Sequence, residues 1–424
     1  MVYPARMEPK KLSSLYRDFA DDVYPASLEI TFRDAAGKAT SFSYEKVEWT
    51  VDGVRRGLRY GENPDQPAAL YRPVGGNLAI AGAGLATPEG ALVTTAELLQ
   101  FGKHPGKTNL TDVDSALAIL RYLMATPACA IMKHNNPSGV AMASGIAEAY
   151  HEAYMADRVA AFGGAVVVNR ELDAATAAEI AESYCEVVAA PEFGPGAFEA
   201  LAAKKNLRVL RIPGMADLER YAPARNLDFR TLLDGGCVVQ SSFASRIRST
   251  DDLLPAETEH KGIRHAVSRE PTAQELSDML FGWAVECGVT SNSVIFVKDG
   301  RTLGIGAGEQ DRVGVAMLAR DKAYRKLEDR LFWQKHGVAW NESRDQAAKD
   351  AVAEVVRAAR AGLGGSVMVS DAFFPFRDGI EVGLDEGASA VLQPGGAMRD
   401  WDVIDACNER GAAMKFTGQR CFRH

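Results

Sequence analysis

The sequence predicts an α/β protein, and two observations carry that prediction. From residue 58 to the C-terminus, short apolar segments alternate with longer segments that have apolar residues at helical spacing. Polar clusters rich in Gly, Pro and Asn follow several of the apolar segments. Because ligands bind beyond the carboxyl ends of the strands in open α/β sheets, we expect the chemistry to lie in these clusters.

The first half of the chain opens with a polar lead-in, in which 28–32 alternates like an edge strand. Beyond residue 58, helices and strands are predicted in turn. The helices are predicted at 114–124, 146–161 and 174–184, and the strands at 129–132, 165–168 and 187–190.

The second half repeats the alternation after a stretch of weaker periodicity. Asp299-Gly300 lies between two apolar segments, 294–297 and 302–305, which predicts a β-hairpin. Helices are predicted at 273–287 and 351–361, and strands at 367–369 and ending at 391–392. The predicted organisation is an N-terminal extension (1–57), a first lobe (58–230), a connecting segment (231–262) and a second lobe (263–424).

The composition is that of an ordinary globular protein and argues against several classes of function. A net charge of −8 argues against a broad nucleic-acid surface. The longest stretch without a charge, 73–88, is too short for a spanning helix and is interrupted by Gly and Pro. The first residues lack the apolar core of a secretory signal. The six cysteines have neither zinc-binding nor redox spacing. We therefore expect a reduced, cytoplasmic protein without zinc.

Lys133-His134 is the first candidate for catalysis, because it follows an apolar strand and precedes a polar turn, 135–139. An imidazole titrates near neutral pH and can accept or donate a proton. An adjacent ammonium can donate a proton or stabilise an oxyanion. The alternative, which the pair by itself favours, is a surface lysine beside a capping or core histidine.

Two polar motifs are candidates for substrate binding. Arg59-Tyr60 combines a planar cation suited to phosphate with a ring that can stack on a heterocycle, although the following Gly61 is equally typical of a turn. The amide of Asn292, in Ser-Asn-Ser, can hold a carbonyl or stabilise developing charge. Its alternative role is a polar turn that begins a strand.

Three further segments leave both functional and structural interpretations open. The glycine-rich 304–308 lacks Rossmann and Walker spacing, and we interpret it as a tight turn that presents Gln310 and Arg312. The aromatic run 373–378 is either a wall for a flat heterocycle such as a pterin or a core cluster. The basic C-terminal tail is either exposed or packed into the fold, where it would supply a phosphate-binding arginine.

Together the motifs resemble the AICAR transformylase half of the bifunctional purine-biosynthesis enzyme that also carries IMP cyclohydrolase. The ordered series is specific, whereas any one motif is not. The matching stretches are 58–64, 133–139, 161–164 with 169–170, 291–293, 304–308, 370–378, 393–396 and 420–424.

The resemblance implies two lobes of cytidine-deaminase-like fold without the zinc site, and a homodimer. It also implies that the formyl group of 10-formyltetrahydrofolate is transferred to the 5-amino group of AICAR, which gives FAICAR. That amine is a weak nucleophile because the imidazole and its carboxamide withdraw electrons. The site therefore has to remove a proton and stabilise the charge that develops on the formyl oxygen.

The resemblance also implies roles for individual residues. His134 is the proton acceptor, Lys133 stabilises the transition state or assists the departing folate nitrogen, and Asn292 orients the carboxamide or formyl oxygen. The implied AICAR-binding residues are Arg59, Tyr60, Asn109, Gly163, Glu186, Arg312, Phe373 and Arg420. The implied folate-binding residues are Val313, Asp378, Ala397 and Met398. A structural potassium ion is implied near Ser291, Ser293 and Asp371.

The sequence departs from the family pattern in places. Asp65 stands where the family usually has histidine, and 107–109 reads Lys-Thr-Asn in place of the usual Tyr-Asn-Asn. No segment matches the cyclohydrolase domain, so we expect ring closure to IMP to need a separate protein. Two competing hypotheses are a stand-alone IMP cyclohydrolase and a non-catalytic AICAR-sensing relative. The matched motifs argue against the first, and the retained Lys133, His134 and Asn292 argue against the second.

Overall fold

The computed structural model of the chain describes residues 19–51, 53–77, 79–80, 83–84 and 92–424. One compact unit comprises the described residues before Ser115 together with Glu171–Arg220 and Ala224–Ala244. A second comprises Ser115–Arg170, Tyr221–Pro223 and Ser245–His424. Within these described ranges, no helix combines the length and apolar character that crossing a membrane requires. The lobe boundaries predicted above remain a prediction.

The strands are short. In chain order they are β1 Ser27–Arg33, β2 Ala39–Lys46, β3 Trp49–Val51, β4 Val54–Arg56, β5 Tyr71–Gly76, β6 Ala79–Ile80, β7 Ala83–Gly84, β8 Glu97–Gln100, β9 Ala128–Lys133, β10 Asn136–Met142, β11 Ala165–Val168, β12 Val187–Ala190, β13 Arg208–Arg211, β14 Leu227–Thr231, β15 Cys237–Ser241, β16 Leu254–Pro255, β17 Glu257–His260, β18 Ile263–Ala266, β19 Val294–Lys298, β20 Arg301–Gly306, β21 Val367–Ser370, β22 Ala390–Gln393 and β23 Ala413–Phe416.

The α-helices are α1 Lys107–Leu120, α2 Ile146–Ala156, α3 Arg158–Ala161, α4 Ala174–Glu182, α5 Ala197–Ala202, α6 Ala273–Glu286, α7 Arg312–His336, α8 Gln346–Ala358, α9 Arg377–Asp385 and α10 Asp400–Arg410. Short 3₁₀ segments are Val93–Thr95, Pro213–Tyr221, Thr250–Asp252 and Arg360–Gly362.

The first unit contains several small sheets. β1, β2 and β5 form an antiparallel sheet with β1 at its edge, which confirms the edge strand expected at 28–32. β12 pairs parallel with β13, which pairs antiparallel with β8. β14 and β15 form a hairpin that the weak periodicity of this stretch did not predict.

The second unit is built on one mixed sheet of order β16-β23-β22-β21-β19-β20-β10-β9-β11. β21, β22 and β23 are parallel, and the remaining pairs are antiparallel. α7 packs on β20 and α2 on β10, while α6 packs on β19 and β21. Residues of α7 and the sheet, including Val315, Phe296 and Met368, form the apolar core. The α/β class predicted from sequence is confirmed.

Most predicted elements are present, and the differences have local causes. The helix predicted at 146–161 is broken at Asp157, whose carboxylate accepts the amide of Ala160 and caps α3. The helix predicted at 351–361 begins earlier, at Gln346, because Asp345 caps it, and it ends at Ala358. The helix predicted at 114–124 is Lys107–Leu120. The predicted hairpin is confirmed, with Asp299 and Gly300 both at positive φ.

The glycine-rich segment 304–308 has a packing role that its sequence did not reveal. A Cβ on Gly304 would lie 2.2 Å from the carbonyl oxygen of Ala319, and one on Gly306 would lie 2.3 Å from that of Val315. Glycine therefore lets α7 pack directly on β20. This contact fixes the start of α7, where Arg312 is located.

Candidate active site

Arg59 and Tyr60, predicted to bind AICAR, lie together in the first unit. Arg59 is 5% exposed, and its guanidinium donates to the Tyr60 hydroxyl at 2.7 Å and to the carbonyl of Lys103 at 3.0 Å. The same guanidinium lies over the Tyr60 ring, 4.5 Å from its centroid. The Nε of Arg59 is buried with no hydrogen-bond partner among the described residues. A buried cation with spare donor capacity suits an anionic group.

Asn109 and Glu186, also predicted to bind AICAR, are directly linked in the same unit. Asn109 donates to the Glu186 carboxylate at 2.9 Å, and Arg208 approaches the same oxygen at 3.4 Å. Burial, together with the positive charge of Arg59, lowers the pKa of Arg208, while Glu186 opposes that shift. The first unit thus holds two guanidinium groups close enough to repel each other, of which Arg208 pairs with the Glu186 carboxylate.

Lys133 and His134 lie at a sharp turn between β9 and β10 in the second unit. Lys133 ends β9, and its ammonium donates to the carbonyl of Phe162 at 2.6 Å. His134 and Asn135 have φ of 53° and 61°, and Lys133 pairs with Asn136 across the turn. His134 is exposed, and it directly follows a buried strand, the position that the sequence predicted.

Asn292 belongs to a buried polar network centred on Arg312. The guanidinium of Arg312 donates to the Asn292 side-chain oxygen at 3.0 Å, to the Ser293 carbonyl at 2.9 Å and to the Asp371 carboxylate. The Asn292 amide nitrogen donates to the carbonyl of Gln310 at 3.0 Å. Ser291 donates to the other Asp371 oxygen at 2.5 Å. Each polar atom of the Asn292 side chain therefore has a partner, which fixes its orientation.

Two contacts tie the Lys133–His134 turn to the segment that carries Asn292. Asn136 accepts the amide of Thr290 at 2.9 Å. Arg423 donates from its guanidinium to the carbonyl of Asn135 at 3.0 Å, and its backbone exchanges hydrogen bonds with Ser291 at 2.9 and 3.0 Å. The turn that carries Lys133 and His134 is thus hydrogen-bonded to the segment that carries Asn292, in part through the C-terminal tail.

Buried oxygen atoms without partners lie beside this network. Both carboxyl oxygens of Glu286, which is fully buried, and the hydroxyl of Ser293 have no hydrogen-bond partner among the described residues. Burial, reinforced by the negative charge of Asp371, raises the pKa of Glu286 well above its usual value. Ser291, Ser293 and Asp371, the residues expected near a potassium ion, all belong to this network. Within the described ranges, no three His, Cys, Asp or Glu side chains are grouped to hold a metal.

The remaining predicted binding residues are on surfaces of the second unit. Phe373 is 41% exposed while the neighbouring Phe374 is fully buried, so the aromatic run is partly wall and partly core. Met398 is 97% exposed, and the guanidinium of Arg420 stacks on Phe422. The other residues in this group are Gly163, which has positive φ, Val313 in the first turn of α7, Asp378 in the first turn of α9, and Ala397, whose amide bonds Asp400.

Sequence reasoning missed three residues of these networks. Arg208 begins a strand, and nothing in its local pattern marks it. Arg423 lies in the C-terminal tail, for which the sequence predicted a functional arginine, but that role was assigned to Arg420. Glu286 closes an apolar helix, where a charged residue at a buried position is the one signal that was available.

A cavity of about 200 Å³ lies beside the Lys133–His134 turn. Its walls come from β10, β20, the α2–α3 break and α7. It is lined by Lys133, His134, Asn136, Pro137, Ser138, Ala156, Asp157, Ala160, Thr302, Leu303, Gly304, Ile305, Lys322 and Lys326.

The second unit is therefore an α/β structure with a lysine–histidine turn and an asparagine fixed by hydrogen bonds, and the first unit holds two buried arginines. A family model described as the AICARFT/IMPCHase bienzyme matches residues 23–322. The chain belongs to this family.

A curated relative gives the extent of the likeness. The bifunctional purine biosynthesis protein PurH of Rhodospirillum rubrum is 41% identical over 371 residues. The alignment covers 88% of this chain and 60% of that protein. The chain therefore spans less than two thirds of the length of this relative.

Proposed function

We propose that this chain is an AICAR formyltransferase of purine biosynthesis, which transfers the formyl group of 10-formyltetrahydrofolate to the 5-amino group of AICAR and gives FAICAR. One observation carries the proposal. Arg423 and Thr290 bind the Lys133–His134 turn to the segment of Asn292, so a proton acceptor, a cation and an amide share one rigid framework. A binding protein has no need of that combination.

The proposed reaction assigns each group a step. The nitrogen of the 5-amino group attacks the formyl carbon, and His134 accepts the proton that this nitrogen loses. Lys133 and the Asn292 amide stabilise the negative charge on the formyl oxygen. The bond from the formyl carbon to folate N10 then breaks, and that nitrogen takes a proton from Lys133 or from protonated His134. Tetrahydrofolate and FAICAR are the products.

The proposal also assigns residues to the binding of the two substrates. Arg59, with Arg208 beside it, supplies buried positive charge for the nucleotide phosphate, and Arg420 adds a further cation. Tyr60, Asn109, Gly163, Glu186, Arg312 and Phe373 complete the proposed AICAR contacts. Val313, Asp378, Ala397 and Met398 form the proposed folate side, where Asp378 accepts hydrogen bonds from the pterin.

The family resemblance extends the proposal to fold and assembly. We propose two cytidine-deaminase-like lobes, a homodimer and a cytoplasmic location. We also propose that the motifs matched here carry formyl transfer rather than ring closure to IMP, because they belong to the transformylase half.

We further propose that potassium binds among Ser291, Ser293, Asp371 and Glu286, where it would supply positive charge to the Ser293 hydroxyl and the Glu286 carboxyl oxygens, which have no hydrogen-bond partner among the described residues. The melting temperature should then rise with potassium chloride concentration to a plateau and should not rise with choline chloride, since an ion that binds the folded state stabilises it. Glu286→Gln should remove most of this dependence. Equal melting curves in the two salts would contradict the proposal.

The activity itself is tested by mixing the purified chain with AICAR and 10-formyltetrahydrofolate and following tetrahydrofolate release by absorbance. Release that requires both AICAR and protein is expected. The AICAR-sensing alternative predicts AICAR binding by calorimetry without any release. The cyclohydrolase alternative predicts that the protein converts FAICAR to IMP and releases no tetrahydrofolate.

A further inference from the structure

The cavity beside the Lys133–His134 turn contains positively charged side chains that have no role in the proposed reaction. Besides Lys133, it is lined by Lys322 and Lys326, which lie one helical turn apart on α7. The acidic side chain in its lining is Asp157, at the break between α2 and α3. The lining of the cavity thus contains three ammonium groups and one carboxylate.

That carboxylate is already engaged. Lys326 pairs with Asp157 at 2.8 Å, and the same Asp157 oxygen accepts the amide of Ala160 at 2.8 Å. Lys133 donates to the carbonyl of Phe162. Lys322, by contrast, is half-buried and has no hydrogen bond or ion pair within the described part of the chain.

The environment of Lys322 disfavours its charge. Burial lowers the pKa of Lys322, and the attraction of Asp157 only partly offsets burial and the repulsion of Lys326 and Arg325. A half-buried ammonium without a partner is costly unless an anion compensates it. The wall that carries it is rigid, because α7 packs directly on β20 at Gly304.

The size of the cavity suits such an anion. A volume of about 200 Å³ is several times the ~30 Å³ that one water occupies in the liquid. A carboxylate or phosphate group therefore fits together with bound water. Both classes of oxyanion accept several hydrogen bonds from ammonium groups.

We infer that this cavity is an oxyanion-binding subsite, in which Lys322 with Lys326 holds a carboxylate or phosphate carried by one of the two substrates while the reacting atoms lie at Lys133 and His134. The inference rests on the proposed function, because it takes its ligands from that reaction. The two sources are the phosphate of AICAR and the glutamate carboxylates of the folate.

The test compares wild type with Lys322→Met, which keeps the length of the side chain and removes its charge. KM is measured for AICAR and for 10-formyltetrahydrofolate bearing one or three glutamates. We expect KM for one substrate to rise at least about tenfold, which is about 1.4 kcal/mol, while kcat changes less than about threefold. Lys322→Arg should restore most of the loss, since it retains the charge.

The substrate affected identifies the anion. If it is the AICAR phosphate, the difference between wild type and Lys322→Met vanishes with the riboside that lacks phosphate. If it is the folate, the difference vanishes with a formylated pteroate that lacks glutamate. Lys335→Met, an exposed lysine on the same helix, serves as the control and should leave both KM values unchanged.

A folded Lys322→Met protein with both KM values within twofold of wild type would overturn the inference, and Lys322 would then only balance Asp157. Thermal melting establishes that the variant is folded. If wild type shows no turnover, the proposed function fails separately. Equilibrium dialysis of the same two substrates against wild type and Lys322→Met then decides the inference, with equal affinities counting against it.

Discussion

His134→Ala is expected to lower kcat by about 100- to 10,000-fold, the usual contribution of a positioned general base. AICAR affinity should stay within about tenfold, or about 1.4 kcal/mol, because the imidazole is at the exposed tip of a turn and every proposed phosphate contact is made by another side chain. Steady-state kinetics and calorimetric titration with AICAR measure the two effects separately.

The backbone at this position requires a matched variant. His134 has a φ of 53°, which alanine adopts less readily than asparagine, so His134→Asn separates loss of the base from strain in the turn. Both variants should be equally inactive. His336→Ala, which removes an exposed histidine at the end of α7, should retain full activity. Undiminished turnover in His134→Asn would refute the assignment of the base.

Asp371→Asn is expected to reduce the free energy of unfolding by about 3–5 kcal/mol, because it leaves the buried guanidinium of Arg312 without a counter-charge. Asp371 is fully buried, and Arg312 is 8% exposed. Since Arg312 also holds the side-chain oxygen of Asn292, kcat should fall as well. Urea denaturation followed by circular dichroism measures the change in the free energy of unfolding.

An exposed ion pair in the same unit provides the comparison. The side chains of Asp385 and Arg410 form an ion pair and are 61% and 48% exposed. Asp385→Asn breaks this pair and should change the free energy of unfolding by less than about 1 kcal/mol. A loss in Asp371→Asn as small as that in Asp385→Asn would show that the Arg312 network does not stabilise the fold as described.

The sequence predicted much of the fold because buried strands and amphipathic helices have distinct periodicities. The strands at 165–168 and 187–190 match the structure residue for residue. The long helix α7 was missed because charged residues interrupt its apolar face, and its packing on β20 through Gly304 and Gly306 is a tertiary effect. The break at Asp157 likewise depends on a cap that local periodicity does not encode.

Part of the candidate site could be predicted from the sequence. The turn at Lys133–His134 follows a buried strand, and Asn292 precedes one, so both were placed by local pattern. Arg423 and Lys322 lie beside the turn only through the fold, since they are far from it in the chain. Arg208 meets the Glu186 carboxylate in the same way, through the packing of the first unit. Their roles come from burial and from which hydrogen bonds are satisfied.

Formyl transfer by this chain is best tested by chromatographic identification of the product that the purified chain forms from AICAR and 10-formyltetrahydrofolate. FAICAR should accumulate in proportion to the tetrahydrofolate released, and added FAICAR should not be converted to IMP. Absence of FAICAR while AICAR still binds, or conversion of FAICAR to IMP at a comparable rate, would contradict it.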